Sequence, residues 1–317
     1  MPISIEKTFA EFFPDKNIQP FAYLLMQKLQ EGHICVAIEE NEVKTPVGIA
    51  SPDVLKKVNK TMLSENNEPA PFVLSNNLLY LQRYYRYETD IIEILRNRIS
   101  SAQKNEKQYA EKLIAQRDFI QEFLSANNKT ESLSTDEKID WQLIGVLRSL
   151  MNDFSIITGG PGTGKTTTLA KFLRLLYTID ESSKVAIAAP TGKASMRMME
   201  SLLQRARAEN FPQPIIQKIE ALKPHTLHRL LGYIPKSIYF KHNEDSQLIY
   251  DWIVIDEASM IDIPMFAKLL KACKDSTRIV LLGDKDQLAS VEAGSLLSDL
   301  CTSAGKLNSF SQTENHW

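Results

Sequence analysis

The chain has 317 residues, of which 43% are hydrophobic and 24% are charged, and its formal net charge is -2. This length is sufficient for two folded domains, and the charge excludes a protein whose whole surface is basic. The apolar runs are too short to cross a bilayer and we see no signal peptide, so we expect no membrane association. Three widely spaced cysteines form neither a disulfide framework nor a zinc pattern, which favours a reducing cytoplasm.

Residues 1–110 have the pattern of a small mixed domain that is largely helical. Its predicted elements are a helix over 18–30, a strand over 33–39, a helix from near Ser51, a strand at 78–80 and a long polar helix over 91–124. The segment that follows is rich in Ser, Asn and Thr, so we interpret 111–135 as the helix end and a linker.

The pattern changes in residues 136–302, where short apolar runs alternate with helical segments. The runs are FSIIT (154–158), VAIAA (185–189), WIVI (252–255) and RIVLL (278–282). Continuous apolar runs are typical of buried strands, and their alternation with helices predicts an α/β fold with a mainly parallel sheet and helices on both faces. Ligands bind beyond the carboxyl ends of such strands, so the residues after each run are the informative ones.

A phosphate-binding pattern follows the first run directly. In GGPGTGKTTT, Gly159 is followed by four residues and then by Gly164, Lys165 and Thr166, which is the P-loop spacing. The glycines allow successive N–H groups to point at phosphate oxygens, Lys165 adds positive charge, and the Thr166 hydroxyl is a ligand for Mg²⁺. The predicted nucleotide-binding residues are Gly159, Gly160, Pro161, Gly162, Thr163, Gly164, Lys165, Thr166 and Thr167.

Acidic and amide side chains lie near the other apolar runs. Asp256 and Glu257 follow WIVI, Gln287 follows RIVLL, and Gln142 precedes FSIIT. Asp256 is placed to bind Mg²⁺ and Glu257 to accept a proton from water, which favours an ATPase over a small-molecule kinase. No Asn-Lys-x-Asp guanine motif occurs in the sequence. Gln287 could sense the γ-phosphate, and Gln142 could pair with the N6/N7 edge of adenine. Either glutamine could equally be an ordinary polar surface residue.

Basic residues are concentrated between Lys193 and His242, where nine Lys and Arg residues occur with three Glu. Such a segment inside an acidic chain can hold phosphates locally. Solvated helix faces would produce the same local excess of charge, so this pattern leaves both interpretations open.

Six motifs occur together in one order. They are Trp141-Gln142, GGPGTGKTTT, APTGKAS (189–195), TLHRLLG (226–232), DEASM (256–260) and GDKDQLASVEAG (283–294). In this combination the chain resembles the RecD group of superfamily-one helicases, which move 5′ to 3′ on single-stranded DNA. EGHICVAI (31–38) and PFVLSNNLLYLQRYYRYE (71–88) are similar to the front domain of that group. The resemblance implies that 136–302 is the first RecA-like P-loop lobe and that 1–110 docks a partner.

The resemblance also implies cofactors, partners and residue roles. The cofactors are ATP and Mg²⁺, and the partners are single-stranded DNA with RecC-like and RecB-like subunits. Gln142 would read adenine, Lys165 and Glu257 would act in hydrolysis, and Gln287 would couple two lobes. The implied DNA contacts are Thr191, Lys193, Thr226 and His228. His228 could instead fill the core.

Three further expectations concern the rest of the chain. Two strand-like runs around the turn-like HNEDS predict a small hairpin near 236–250, similar to the pin of related motors. Residues 303–317 are polar and aperiodic where family members continue into a second lobe, so we expect a truncated product. The alternatives to a motor lobe of an exonuclease V complex are a non-catalytic module that holds ATP and a fragment of a free-standing RecD-like helicase.

Overall fold

The computed structural model describes residues 4–65, 68–117, 140–287, 294 and 296–303. The chain divides into a front unit and a sheet unit. The front unit comprises Met1–Glu93, Met260–Ala267 and Leu288–Leu296, and the sheet unit comprises Ile94–Ser259, Lys268–Gln287 and Leu297–Trp317. Most of the predicted linker and nearly all of the polar tail lie outside the described residues, so the domain limits stay predictions. Within the described ranges, no helix is long and apolar enough to cross a membrane.

The front unit is a mixed arrangement of short helices and strands. In chain order its elements are α1 (Ile5–Glu11), α2 (Gln19–Gln30), β1 (Cys35–Ala37), β2 (Val43–Thr45), β3 (Gly48–Ala50), α3 (Pro52–Leu55), β4 (Leu63–Ser64), β5 (Phe72–Ser75), β6 (Leu78–Leu81) and the start of α4 (Gln82–Ala115). Four strands form a sheet in the order β1-β6-β5-β4, and β2 pairs with β3. The strands β2 to β5 were not among the predicted elements.

Local sequence explains where these elements begin and turn. Ser51 caps α3, because its hydroxyl accepts a hydrogen bond from the Val54 N–H and Pro52 occupies the first helical position. Asn76 and Asn77 both have positive φ, 51° and 61°, which suits the two-residue turn between β5 and β6. The long helix α4 starts nine residues before its predicted start, directly after β6, and its predicted end lies outside the described residues.

From Trp141 onward the chain alternates between helices and parallel strands. The elements are α5 (Trp141–Met151), β7 (Phe154–Thr158), α6 (Lys165–Ile179), β8 (Val185–Ala189), α7 (Gly192–Ala208), α8 (Gln213–Ala221), β9 (Pro224–Thr226), α9 (Leu227–Leu231), β10 (Trp252–Ile255), α10 (Ile263–Ala272), β11 (Arg278–Gly283) and α11 (Leu296–Ser303). The strands form one sheet, β7-β11-β10-β8-β9, and every neighbouring pair is parallel. This confirms the predicted fold class, and β9 is a fifth strand that the apolar runs did not indicate.

Both faces of the sheet are buried. One face packs in a cluster with the apolar stripe of α6, and it presents Val185, Ile187, Trp252, Val254, Val280 and Leu282. The alternate residues are also buried but lie outside that cluster, as expected for the opposite face of a strand: Ala186, Ala188, Ile253, Ile255, Ile279 and Leu281. Burial on both faces explains why these strands read as continuous apolar runs.

Arg278 anchors the amino end of β11, away from the ligand edge. Its guanidinium donates a hydrogen bond to the Leu150 carbonyl at 2.5 Å and lies 3.4 Å from an Asp153 carboxylate oxygen. The same group stacks 3.7 Å from the ring centroid of Tyr109. A buried charge is tolerated only where it is paired and hydrogen-bonded in this way.

The predicted hairpin near 236–250 was wrong. These residues form bends rather than two strands, and a single antiparallel bridge joins Tyr233 to Phe240. The HNEDS segment does turn, because the Asn243 side chain accepts hydrogen bonds from the Asp245 and Ser246 N–H groups. Asn243 and Ser246 also exchange backbone hydrogen bonds at 3.2 and 3.3 Å, but no strands extend this pair within 236–250.

Candidate nucleotide site

The P-loop joins β7 to α6 and closes on the end of β11. The Gly159 N–H donates to the Gly283 carbonyl at 3.0 Å, so the loop starts where the strand ladder stops. Gly162 and Gly164 have φ of 78° and 87°, the left-handed region that glycine adopts without steric cost. The Lys165 ammonium donates to the carbonyls of Gly159 at 2.7 Å and Gly160 at 3.1 Å, so the cation lies inside the loop.

Neighbouring side chains also lie close to two P-loop glycines, so a larger residue at either position would displace them. A Cβ atom at Gly159 would lie 2.5 Å from the Thr163 hydroxyl oxygen, and one at Gly164 would lie 2.5 Å from the Gln142 amide nitrogen. Gly164 precedes α6, and the first hydrogen bond of that helix runs from the Thr168 N–H to the Gly164 carbonyl at 2.9 Å. The amides before Thr168 therefore form the open, positive end of the helix, which favours anions.

Asp256 and Glu257 follow β10 at the same sheet edge. Burial raises the pKa of the Asp256 carboxyl, while a 2.9 Å hydrogen bond from the Glu257 N–H and the positive charge of Lys165 act in the opposite direction. Asp256 is thus close enough to the P-loop lysine to feel its charge. Glu257 has φ of 54°, an uncommon angle for a residue with a side chain, and it marks a sharp turn directly after the strand.

Gln287 is tied to the segment that follows Asp256 and Glu257. Its side-chain oxygen accepts a hydrogen bond from the Ser259 hydroxyl at 2.9 Å. Two residues before it, the Lys285 N–H donates to the Thr158 hydroxyl at the end of β7. The segments after three neighbouring strands, β7, β11 and β10, are therefore linked by side-chain hydrogen bonds.

Gln142 lies against the P-loop, and its amide is held from two sides. Its nitrogen donates to the Thr163 carbonyl at 3.1 Å, and its oxygen accepts from the Lys171 ammonium at 3.3 Å. Lys171 is buried and also pairs with Asp140 at 3.3 Å, and Asp140 caps α5. Sequence reasoning missed Lys171, although a lysine inside the apolar run LAKFL was the available signal.

A second residue that sequence reasoning missed reaches the first turn of α6. The Arg205 guanidinium, from α7, donates to the Thr167 hydroxyl through Nε at 3.0 Å and Nη2 at 2.5 Å. It also pairs with Glu209 at 3.1 Å. No spacing in the sequence links Arg205 to Thr167, because they are 38 residues apart and meet only when α7 packs beside α6.

The four candidate DNA contacts lie at the β8–β9 part of this edge. Thr191 caps α7 and Thr226 caps α9, each accepting a hydrogen bond from a backbone N–H at 3.2 Å. The register pairs Ala189 with Thr226, so the two caps follow neighbouring strand ends. Lys193 is exposed.

His228 is also exposed, with its ring 5.7 Å from Phe240 and 6.3 Å from Tyr233. These two aromatic residues belong to the loop that carries the isolated bridge. The alternative that His228 fills the core is therefore wrong.

Positive charge surrounds the end of β9. Burial lowers the pKa of His225, and the nearby Lys223 and Arg229 lower it further. The effect of Lys223 and Arg229 on this pKa indicates a positive local potential, which favours anions such as phosphate.

Comparison with known proteins agrees with this geometry. A protein family described as an AAA domain matches residues 142–293. RecBCD enzyme subunit RecD of Haemophilus influenzae is 38% identical over 243 residues, which is 74% of this chain and 35% of that protein. The subunit of the same name from Mycolicibacterium smegmatis is 32% identical over 302 residues, 92% of this chain and 50% of that protein. The chain thus spans between about a third and half of the length of these two relatives.

A third relative has a different name. The ATP-dependent RecD2 DNA helicase of Deinococcus radiodurans is 36% identical over 149 residues, which is 47% of this chain and 18% of that protein. Its match covers a smaller share of this chain than the matches of the two RecD subunits.

The lowered pKa of His225 predicts a pH-dependent stability. Because folding disfavours the protonated ring, the fold loses stability as the pH falls through 6.5, the ordinary pKa, towards the lower folded pKa. His225→Gln removes this proton linkage. We expect the variant to gain stability relative to the parent protein between pH 7.5 and pH 5, as measured by urea unfolding. A constant difference between the two proteins at both pH values would contradict the assignment.

Proposed function

Because the chain is a homologue of the RecD-like superfamily-one helicases and carries the P-loop ATPase domain of a DNA helicase family, we propose that it is the motor lobe of a helicase that moves 5′ to 3′ on single-stranded DNA. The observation that carries the proposal is one sheet edge with two neighbouring sites. Lys165 and Asp256 follow β7 and β10 at one part of that edge, and Thr191 and Thr226 lie at the ends of the adjacent strands β8 and β9 at another.

ATP would bind with its phosphates on the P-loop. The Lys165 ammonium would exchange its two carbonyl contacts for phosphate oxygens, and the open amides of α6 would hold the same anion. Thr166 and Asp256 supply the oxygen ligands that Mg²⁺ prefers, and the metal would neutralise charge on the phosphates when bound. Glu257, in the turn after β10, would accept the proton of the attacking water.

Hydrolysis would be communicated through Gln287. Its amide is bonded to Ser259, two residues after Glu257, so a change at the γ-phosphate would reach the segments after β10 and β11 together. The DNA contacts we propose, Thr191, Lys193, Thr226 and His228, follow β8 and β9 of the same sheet. A sheet that is buried on both faces is a rigid connection between the two sites.

The first prediction separates an enzyme from a module that only holds ATP. Lys165→Ala removes the loop cation and should weaken Mg-ATP binding by about 10- to 100-fold, the value of a charge-assisted hydrogen bond. Glu257→Gln should retain binding but lower the hydrolysis rate by about 10²- to 10⁴-fold, since it removes the proton acceptor. Calorimetry measures the first effect and phosphate release the second. If the parent protein binds ATP but hydrolyses it no faster than the Glu257→Gln variant, the chain is a non-catalytic module that only holds ATP.

The second prediction concerns the DNA backbone. Lys193→Ala should weaken single-stranded DNA binding for all sequences and lower the salt slope of log K by about 0.7, the value of one phosphate contact. Lys184→Ala is the matched control, because Lys184 is exposed beside the amino end of β8, at the opposite edge of the sheet. Fluorescence anisotropy in a salt series measures both slopes. Equal salt slopes of log K for the two variants would show that Lys193 does not contact the DNA backbone.

We further propose that the chain belongs to a RecBCD-type complex. In support, a relative named RecBCD enzyme subunit RecD matches 92% of the chain, a share that includes most of the front unit. We expect the chain to co-purify with RecC-like and RecB-like subunits when the three are expressed together. Recovery of this chain alone, with the other two subunits still associated, would favour the free-standing helicase.

A further inference from the structure

The nucleotide site contains an arginine that the proposed mechanism does not use. Arg205 lies on α7, yet two of its nitrogens donate to the hydroxyl of Thr167, in the first turn of α6. The side chain is about half exposed, at 46%, so its ion pair with Glu209 adds little to stability. A long side chain is thus fixed beside the P-loop with much of its surface accessible to a ligand.

The position of Arg205 relative to Gln142 indicates which part of a nucleotide it would meet. Gly164, Thr167 and Lys171 follow each other at helical spacing and share one face of α6. Gln142 contacts this face through Lys171 and the adjoining loop through Thr163. Arg205 contacts the same face through Thr167. The two side chains therefore flank the start of the helix, on the side where Gln142 would meet the base.

The hydrogen bonds of Arg205 leave a particular surface for a ligand. Its Nε faces Thr167 and Glu209, and one terminal nitrogen also faces Thr167. The edge formed by Nε and Nη2 is therefore occupied, and these bonds do not use the planar faces of the guanidinium. A guanidinium plane stacks well on aromatic rings, and a lysine ammonium does not reproduce that contact.

We propose that Arg205 is a platform on which the base of the bound nucleotide stacks. Gln142 would read the edge of the base, and Arg205 would hold its face. Stacking on a guanidinium tolerates any base, so Arg205 contributes affinity and Gln142 contributes the choice of adenine. This inference rests on the proposed nucleotide site.

The test compares three ligands on the full chain with Mg²⁺: ATP, GTP and inorganic tripolyphosphate. Arg205→Met should weaken ATP and GTP alike, by about 5- to 100-fold, as expected for one lost stacking contact. Tripolyphosphate has no base, so its affinity should stay within about twofold of the parent value, below the 1.4 kcal/mol of a tenfold change. Arg207→Met is the matched control, because Arg207 is on the same helix but pairs with Glu220 at 2.6 Å. It should leave all three affinities unchanged.

Two more variants make the result decisive. Arg205→Lys keeps the charge without the plane, so it should lose base affinity nearly as much as Arg205→Met, and it carries the test if the methionine variant unfolds on heating. Gln142→Ala should weaken ATP more than GTP. Equal losses for ATP and tripolyphosphate in both Arg205 variants, or no loss of ATP affinity, would overturn the platform. If Lys165→Ala also fails to weaken ATP, the nucleotide site itself is wrong; if it succeeds, only the role of Arg205 falls.

Discussion

The parallel sheet imposes the constraint on which the rest of the site depends. All five strands end at one edge, so side chains from distant parts of the sequence meet there without any local signal between them. The hydrogen bond from Gly159 to Gly283 fixes the loop after β7 to the end of β11. Lys165 then lies close enough to Asp256 for its charge to act on that carboxyl, although the two residues are 91 positions apart in the printed sequence. The chemistry we propose follows from this convergence.

Sequence patterns predicted the sheet well where burial dictates composition. Four strands are buried, or half-buried in the case of β7, and were visible as apolar runs. β9 was missed because it is a three-residue edge strand, Pro-His-Thr, which needs neither length nor apolar faces. The hairpin near 236–250 was predicted from two strand-like runs around a turn-like segment and from its similarity to the pin of related motors. Asn243 and Ser246 do form the turn by exchanging backbone hydrogen bonds, but the runs on either side of it do not pair into strands.

The sequence predicted those residues of the candidate site that belong to recognisable motifs, but not the residues that helix packing brings to the site. Some site residues belong to motifs whose spacing indicates a chemical role. They are the P-loop glycines, Lys165, Asp256 and Glu257. Lys171 and Arg205 make their contacts only when helices pack. The apolar run LAKFL marks Lys171 as unusual but not its partners, and the sequence around Arg205 gives no reason to single it out. The roles of Lys165, Glu257, Lys193, Gln142 and Arg205 are proposals, and the substitutions described above test them.

Glu257 has a positive φ, which lowers the stability of the fold at a residue that we propose to act in hydrolysis. A residue with a side chain in this conformation costs the fold on the order of 1–3 kcal/mol, whereas glycine would adopt it freely. Selection for a stable fold alone would therefore replace this glutamate. The role that we propose for Glu257, a proton acceptor at the turn, is a functional reason for a side chain in this unfavourable conformation. Engineering that screens only for heat resistance would be expected to favour glycine at this position, and the proposed proton acceptor would be lost with the glutamate.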